Sequence, residues 1–559
     1  MIIIDKQRNG KLEHHIPAAF DSKRPAVRFS HTAFDVDLAQ HVAASKLPTK
    51  TPGPSLHDGL DSLRSLGIKV GAADEKLPQT LDDYLYTDDP PLRLHVVNFK
   101  DATFVSINFP HAVTDAMGLS ELISNWCKVL AGKQDQVHPL ATDDHPMESL
   151  SSKTTTPDDD ADEEEEKHLL TPHILSGLAL ILFGLNFLYD ILLGPKMQTR
   201  ILFLPSRAVE RLRRRAMLDI LPLQSSSSST PHEHERGPSS PSDPLHHHHH
   251  PGKELNQGVP FISEGDVLTA WITKQIASSF PPPPPSSPII RMCCTRKKTT
   301  RRSLAVMSAF DLRTRMPYLF RRVTVPGKSS CTSSTHHPKA TVQNAILASF
   351  TFFSAQEAAA AASNNNVNSS SSPKEEENRE EEEEGGAGGA GEPSSLPLGK
   401  MALRFREDLT RQTTPAQIRA HARLQREALT RTGRPVIFAP HNNGNGNAVL
   451  LPFTNWTKAG FYDVVDFGPA VVAGSTCIVS SSGEEANKRG GGGGQEDVNG
   501  ERFGRPVMFW AFDANPESSP MHRNAFNILG KDPEGNYWMT GILSGAAWER
   551  ILKEACQGT

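Results

Sequence analysis

Cysteine is scarce in this 559-residue chain: there are six, Cys127, Cys293, Cys294, Cys331, Cys477 and Cys556, with no C-x-x-C pair among them. That excludes a disulfide framework and a zinc-finger spacing, and it fits a reducing compartment. Apolar residues are also thin at 37%, while 43 prolines and 40 glycines imply that much of the length lies outside any core. With a net charge of −5 there is no general basic face, so nucleic acid is not expected as a partner. The opening Met1-Ile-Ile-Ile-Asp5 lacks the apolar region of a secretory signal. One hydrophobic run, Ile174–Tyr189, holds 16 uncharged residues between His173 and Asp190 and includes Gly177, Gly184 and Asn186. A spanning helix needs roughly 20 apolar residues. The run therefore reads as a buried or membrane-surface segment, not a span.

What is present alternates between biased and patterned stretches. The length allows two or more domains, each with its own core. The biased stretches are an acidic run at 158–166, Ser/Pro/His-rich sequence from 224 to 251, prolines at 281–285, Ala/Asn/Ser/Glu/Gly tracts from 355 to 397, and a glycine-rich stretch at 483–500. Such compositions bury too little apolar surface to offset the entropy of ordering, so they read as disordered insertions within a compact body. The His246–His250 run has no Cys or acidic ligand at helical spacing and reads as a solvated tract, so no metal is expected. The patterned stretches read as mixed α/β. Residues 92–99 and 102–109 are rich in β-branched and aromatic residues, with Lys100-Asp101 between them, which predicts a hairpin. Leu119, Leu122, Ile123, Trp126, Val129 and Leu130 recur at helical spacing. Thr414-Pro415 opens a capped helix, and a last helix is expected over Gly545–Cys556.

His111 follows a predicted strand and precedes a predicted helix, a place where a side chain can be held firmly at a cleft. Imidazole suits general-base work near neutrality, because its unperturbed pKa is about 6.5. Asp115, four residues on, can either pin the loop through an arginine or cap the following helix. His111-Ala-Val-Thr-Asp115-Ala-Met-Gly118 resembles the H-x-x-x-D-G signature of the BAHD acyltransferases, especially their fungal relatives. Further segments agree in the family's order. Phe261–Trp271 resembles the S-x-G-D-V-L-x-A-W helix start, Ser308–Arg315 the D-x-R-x-R strand, and Val342–Ile346 the G-N-A segment. Thr454-Asn455-Trp456 resembles the T-S-W stretch, and Tyr537–Gly541 the last strand. Asp466-Phe467-Gly468-Pro469 matches the D-F-G-W-G motif except for its missing Trp-Gly pair, so altered local packing is expected there. His111 also comes early against the family's usual spacing, which implies an N-terminal part without its first strand.

The resemblance implies two chloramphenicol-acetyltransferase-like domains with mixed sheets and flanking helices. They would be 1–205, carrying His111, and 206–559, with insertions near 224–258, 281–305, 355–398 and 483–500. It also implies acyl transfer from acyl-CoA, a co-substrate and not a cofactor, to a hydroxyl or amine of a small, secondary-metabolite acceptor. Carried over residue by residue, His111 is the general base and Thr454 the oxyanion donor, with Trp456 shaping the acceptor pocket. Asp115 paired with Arg313, together with Asp466 and Gly468, hold the loops. No metal is required, and a cytoplasmic monomer is expected, with 174–193 as the point of any peripheral membrane contact. Three rivals are distinguishable. A condensation-type enzyme would place a second histidine before His111, where Pro110 stands. A catalytically inactive binding or regulatory relative would not need His111 and Asp115. A membrane-embedded acyltransferase rests on 174–189 alone.

Overall fold

The computed structural model describes residues 2–5, 11–58, 63–64, 66, 78, 80–141, 146–151, 166–221, 260–280, 302–320, 339–362, 396–440, 447–471, 503–511 and 522–557. The His246–His250 run and the insertions expected at 224–258 and 483–500 lie outside them.

Twelve strands form three sheets among the described residues. They are β1 (Ile2–Asp5), β2 (Lys11–His14), β3 (Arg28–Ala33), β4 (Ser55–His57), β5 (Arg93–Asn98), β6 (Thr103–Asn108), β7 (Met197–Leu204), β8 (Ser303–Asp311), β9 (Ile346–Phe353), β10 (Ala448–Asn455), β11 (Phe526–Lys531) and β12 (Tyr537–Ser544). The large sheet runs β4-β7-β12-β11-β10-β8-β9, and a second runs β3-β5-β6, while β1 pairs with β2 alone. Within the large sheet β10 is parallel to β8 and β11, and the remaining neighbours are antiparallel. The architecture is the mixed α/β arrangement expected. The division drawn at 205/206 falls just past β7, and both β7 and β4 belong to the large sheet.

The predicted hairpin is β5–β6, antiparallel and closed by Phe99 N–H donating to Ala102 O at 2.8 Å. Hydrophobic burial concentrates where the helices Ser206–Ile220, Glu264–Ser279, Leu398–Gln412 and Gly545–Cys556 cover one face of the large sheet. Trp271 and Trp548 are fully enclosed there against Leu304, Phe353 and Phe526. Removing an enclosed indole would cost about 3–5 kcal/mol. The helix Pro415–Thr432 begins as predicted, with Thr414 Oγ1 accepting from Gln417 N–H and Gly433 closing it in the left-handed region.

Two expectations are corrected. The insertion expected at 355–398 does not start at 355, because Ala355–Ala362 is an α-helix in which Ala360 is buried and Ala358 and Ala361 are buried on the main core; Leu398 already opens the next helix. Alanine is the best helix former, and its small side chain fits a close helix–sheet contact. Likewise the insertion expected at 281–305 ends earlier, since Ser303–Ala305 pair with β10 inside the sheet.

The run at 174–189 is not buried. It lies in a 17-residue helix, Gly177–Leu193, in which no residue is buried. Leu178, Ile181, Leu185, Leu188, Tyr189, Leu192 and Leu193 are each 49–72% exposed. The helix continues past Asp190 because Arg302 Nη1 reaches both oxygens of that carboxylate, at 2.7 and 2.6 Å. Among the described residues no helix is long and apolar enough to cross a membrane. Geometry gives a second reason against a span: β4 and β7, on either side of this helix in the chain, are hydrogen-bonded neighbours in one sheet.

Candidate active site

His111 sits in a tight turn between β6 and the helix Ala116–Leu130, with Val113 N–H donating to Pro110 O at 2.9 Å. Asp115 does both things the sequence left open. One oxygen caps the helix, accepting from Gly118 N–H at 2.8 Å. The other accepts from Arg313 Nη1 at 3.1 Å and from Ala345 N–H at 2.7 Å. Only 4% of Asp115 is exposed.

Arg313 is the hub of this clasp. It also bonds Asp311 at 2.8 Å, donates through Nε to Thr341 O at 3.1 Å, and reaches Gln343 O through Nη2. The segment Thr341–Ala345 is thereby wrapped around the His111 turn. Asn344 Nδ2 donates to His111 O at 2.7 Å, and Thr114 Oγ1 donates to Val342 O at 2.6 Å. Gly118 is required here, because a Cβ would collide with Val342 O and Thr114 Oγ1. The result is an imidazole on a loop tied to its surroundings by backbone and side-chain bonds, with the charge of Asp115 matched by Arg313. The His111 residue itself is exposed, and the loop held this way loses little backbone entropy when the ring meets a reactant.

His111 and Thr454 line one cavity of about 2400 Å³. Thr454 is near the end of β10, in register with Asn527 on parallel β11, and its hydroxyl donates to Asn527 Oδ1 at 2.7 Å. Trp456 lies on the same wall, its ring centroid 6.2 Å from that of Phe461 and 6.3 Å from that of Phe509. The wall is aromatic over a wide area, with Phe104, Phe467 and Trp510 also facing the cavity. Such a lining favours an apolar guest, while the few polar groups fix its orientation.

Asp466 and Gly468 flank Phe467, which lines this wall. Asp466 accepts from Gly468 N–H at 3.0 Å and from Arg505 Nη2 at 3.0 Å. Its own N–H donates to Cys127 Sγ at 3.3 Å, and burial pushes the Cys127 thiol up from its ordinary value. The Phe467 ring packs at a tilt against Trp126, with centroids 4.8 Å apart. Gly504, at φ +82°, approaches so closely that a Cβ on it would strike the Gly468 backbone. Pro469 sits within the short turn Gly468–Ala470 where the family motif has tryptophan.

Of the residues singled out in the sequence, Asp115 and Arg313 touch, Asp466 and Gly468 touch, and His111, Thr454 and Trp456 share the cavity. Three partners were missed: Asn344, Asn527 and Arg505. Asn344 lay within a recognised segment but carried no assigned role. Asn527 and Arg505 reach their partners only through strand pairing and a returning loop, which no local spacing reports.

Comparison with known proteins finds a family model and full-length relatives similar to this chain. The model of the Transferase family matches residues 63–172, the stretch that contains His111 and Asp115. The chain is 28% identical over 552 residues to O-acetyltransferase PaAT-2 of Phomopsis amygdali, covering 99% of this chain and 86% of that protein. It is 29% identical over 545 residues to acetyltransferase pyiB of Pyricularia grisea, covering 97% and 81%. Among solved structures, that of F. sporotrichioides TRI101 complexed with coenzyme A and T-2 aligns at 14% identity and a TM-score of 0.42, covering 94% of this chain and 78% of that one.

Proposed function

We propose that this chain is an acyl-CoA-dependent acyltransferase of the BAHD type acting on small-molecule acceptors, with His111 as its general base. The imidazole takes the proton from the acceptor's hydroxyl or amine as that oxygen or nitrogen attacks the thioester carbonyl carbon. The carbonyl electrons move onto oxygen, giving a tetrahedral oxyanion that needs a positioned donor. Thr454 supplies that donor from the cavity wall by turning its hydroxyl proton from Asn527 Oδ1 to the oxyanion, and Trp456 shapes the acceptor's seat beside it. Collapse of the intermediate breaks the carbon–sulfur bond, and His111 returns its proton to the departing CoA thiolate.

The observation that carries this reading is the placement of His111 and Thr454, from β6 and β10, on one aromatic-walled cavity. Asp115 and Arg313 position the His111 loop, and Asp466 and Gly468 hold the far wall. The aromatic lining supports an apolar, secondary-metabolite acceptor. All of these side chains come from one chain, so a monomer suffices, and no metal enters the chemistry. For localisation we favour the cytoplasm, with the exposed apolar face of Gly177–Leu193 resting on a membrane surface.

Replacing His111 with alanine tests the core of the proposal. Transfer from acetyl-CoA should fall by roughly 10²–10⁴-fold, the usual contribution of a general base, while the unfolding midpoint stays at the wild-type value. Transfer at the wild-type rate would remove His111 from the mechanism.

A further inference from the structure

The turn Leu312–Arg315 that directs Arg313 toward Asp115 also carries Arg315, which points elsewhere: it lines the catalytic cavity. Arg315 is half-buried. No hydrogen bond or ion pair reaches its guanidinium from any described residue. The carboxylate on its own turn, Asp311, is committed to Arg313 at 2.8 Å and to Thr314 N–H at 2.9 Å.

Its charged neighbour is another cation. Arg406 also faces the cavity, and its positive charge, after burial itself, disfavours the charge on Arg315. Arg406 is fully engaged, donating to Asp266 through Nε at 2.9 Å and Nη2 at 2.6 Å, and lying over the Phe261 ring at 5.3 Å. Asp266 is in turn occupied by the Ser263 backbone and hydroxyl, at 2.7 Å each. The pair therefore presents one neutralised and one open guanidinium to the same space. Partly burying an arginine beside a second arginine, with no acid to answer it, is costly for a folded chain. It is useful if an anion completes the site, because a guanidinium holds a phosphate or carboxylate through two parallel hydrogen bonds.

We propose that Arg315, backed by Arg406, is an anion-binding subsite of the cavity that takes a phosphate or carboxylate group of a bound substrate. The proposal rests on the cavity being the acyl-transfer chamber. It adds that one substrate carries an anionic group deep enough to reach the Leu312–Arg315 turn. Two sources offer that chemistry: the phosphates of coenzyme A, or an acidic acyl or acceptor group.

The test is calorimetric titration of the full chain and its Arg315→Gln variant with coenzyme A, malonyl-pantetheine and pantetheine. Coenzyme A carries phosphates, malonyl-pantetheine carries a carboxylate without them, and pantetheine is neutral. At least one anionic probe should bind the variant about 10- to 100-fold more weakly, as expected for losing a charge-assisted bond, with pantetheine unaffected. Loss confined to coenzyme A assigns the site to its phosphates; loss confined to malonyl-pantetheine assigns it to an acidic substrate group. Arg315→Lys should fall between, because it keeps the charge without the fork. The unfolding midpoint of Arg315→Gln should hold or rise, since an unanswered half-buried charge is removed. The proposal is overturned if both anionic probes bind the variant within about twofold of wild type, or if that variant loses stability. Binding of coenzyme A to the wild-type chain reports separately on the acyltransferase reading, so the two failures are told apart.

Discussion

Replacing Asp115 with alanine would show whether the clasp around His111 carries the energy its geometry implies. The substitution leaves the N–H groups of Gly118 and Ala345 buried without an acceptor, at about 1–3 kcal/mol each. It also removes one of the two carboxylates on Arg313, but Asp311 remains at 2.8 Å, so the guanidinium does not become an isolated buried charge. Breaking a buried pair outright costs about 3–5 kcal/mol, and Asp311 should hold the loss toward the lower end, about 3–4 kcal/mol. Asparagine should fall between: its carbonyl keeps the cap, while its NH₂ faces Ala345 N–H and Arg313, donor against donor. The assay is urea unfolding followed by tryptophan fluorescence, paired with the rate of acetyl transfer. Activity should drop with stability, because the His111 turn loses its anchor. A double-mutant cycle with Arg313→Ala should show coupling of at least about 1 kcal/mol. Full additivity, or a loss below about 1 kcal/mol for Asp115→Ala, would refute the clasp.

Three further outcomes follow from the structure. His168 and His421 face each other at 4.7 Å beside Phe438, and burial holds each at about 4 against an ordinary 6.5. The unfolded chain therefore takes up protons below pH 6.5 that the folded chain refuses. Stability should fall as pH drops from 6.5 to about 4, by up to about 2.7 kcal/mol per pH unit for two protons; a His168→Leu/His421→Leu chain with the wild-type slope would contradict this. At Thr454, Asn527→Asp should cut the transfer rate more than Asn527→Ala does, because a carboxylate holds the hydroxyl proton more strongly than the amide oxygen and keeps it from the oxyanion; equal rates would count against Thr454 as donor. The chain should co-float with phospholipid vesicles through Gly177–Leu193, and Leu185→Glu/Leu192→Glu should abolish flotation; a wild-type chain that stays in the dense fraction would sink the membrane-surface proposal.

Much of the site was legible because its parts are local. The β5–β6 hairpin shows in the alternation on either side of Lys100-Asp101, and the His111 turn shows as a strand end four residues before a helix cap. Thr414-Pro415 marks its helix start by cap chemistry alone. What stayed hidden depends on chain segments far away. Asp190 ends the uncharged run in the sequence but not in the helix, because Arg302 neutralises it across the fold. The alanine tract at 355–362 was hidden by composition: a repeated residue looks like filler unless a groove exists to receive its small side chains. Arg315 resembles Arg313 in the sequence, and only the folded turn separates the one that holds a loop from the one that faces the cavity.

The strand order β4-β7-β12-β11-β10-β8-β9 has a consequence for how this chain comes into being. β7 has two neighbours in the sheet, the three-residue β4 and β12, and β12 is the last of the described strands. As the polypeptide leaves the ribosome, β7 must wait until Tyr537–Ser544 has emerged before its main partner exists. Such distant pairing slows folding and leaves strand edges open in the interim. The Trp548 indole, donating to Gln198 O at 2.9 Å, fastens the final helix to β7 at the same late moment. A chain released before Tyr537 would leave β7 and β11 without the strand that joins them, as open edges and a template for aggregation, so quality control of this protein turns on synthesis passing β12.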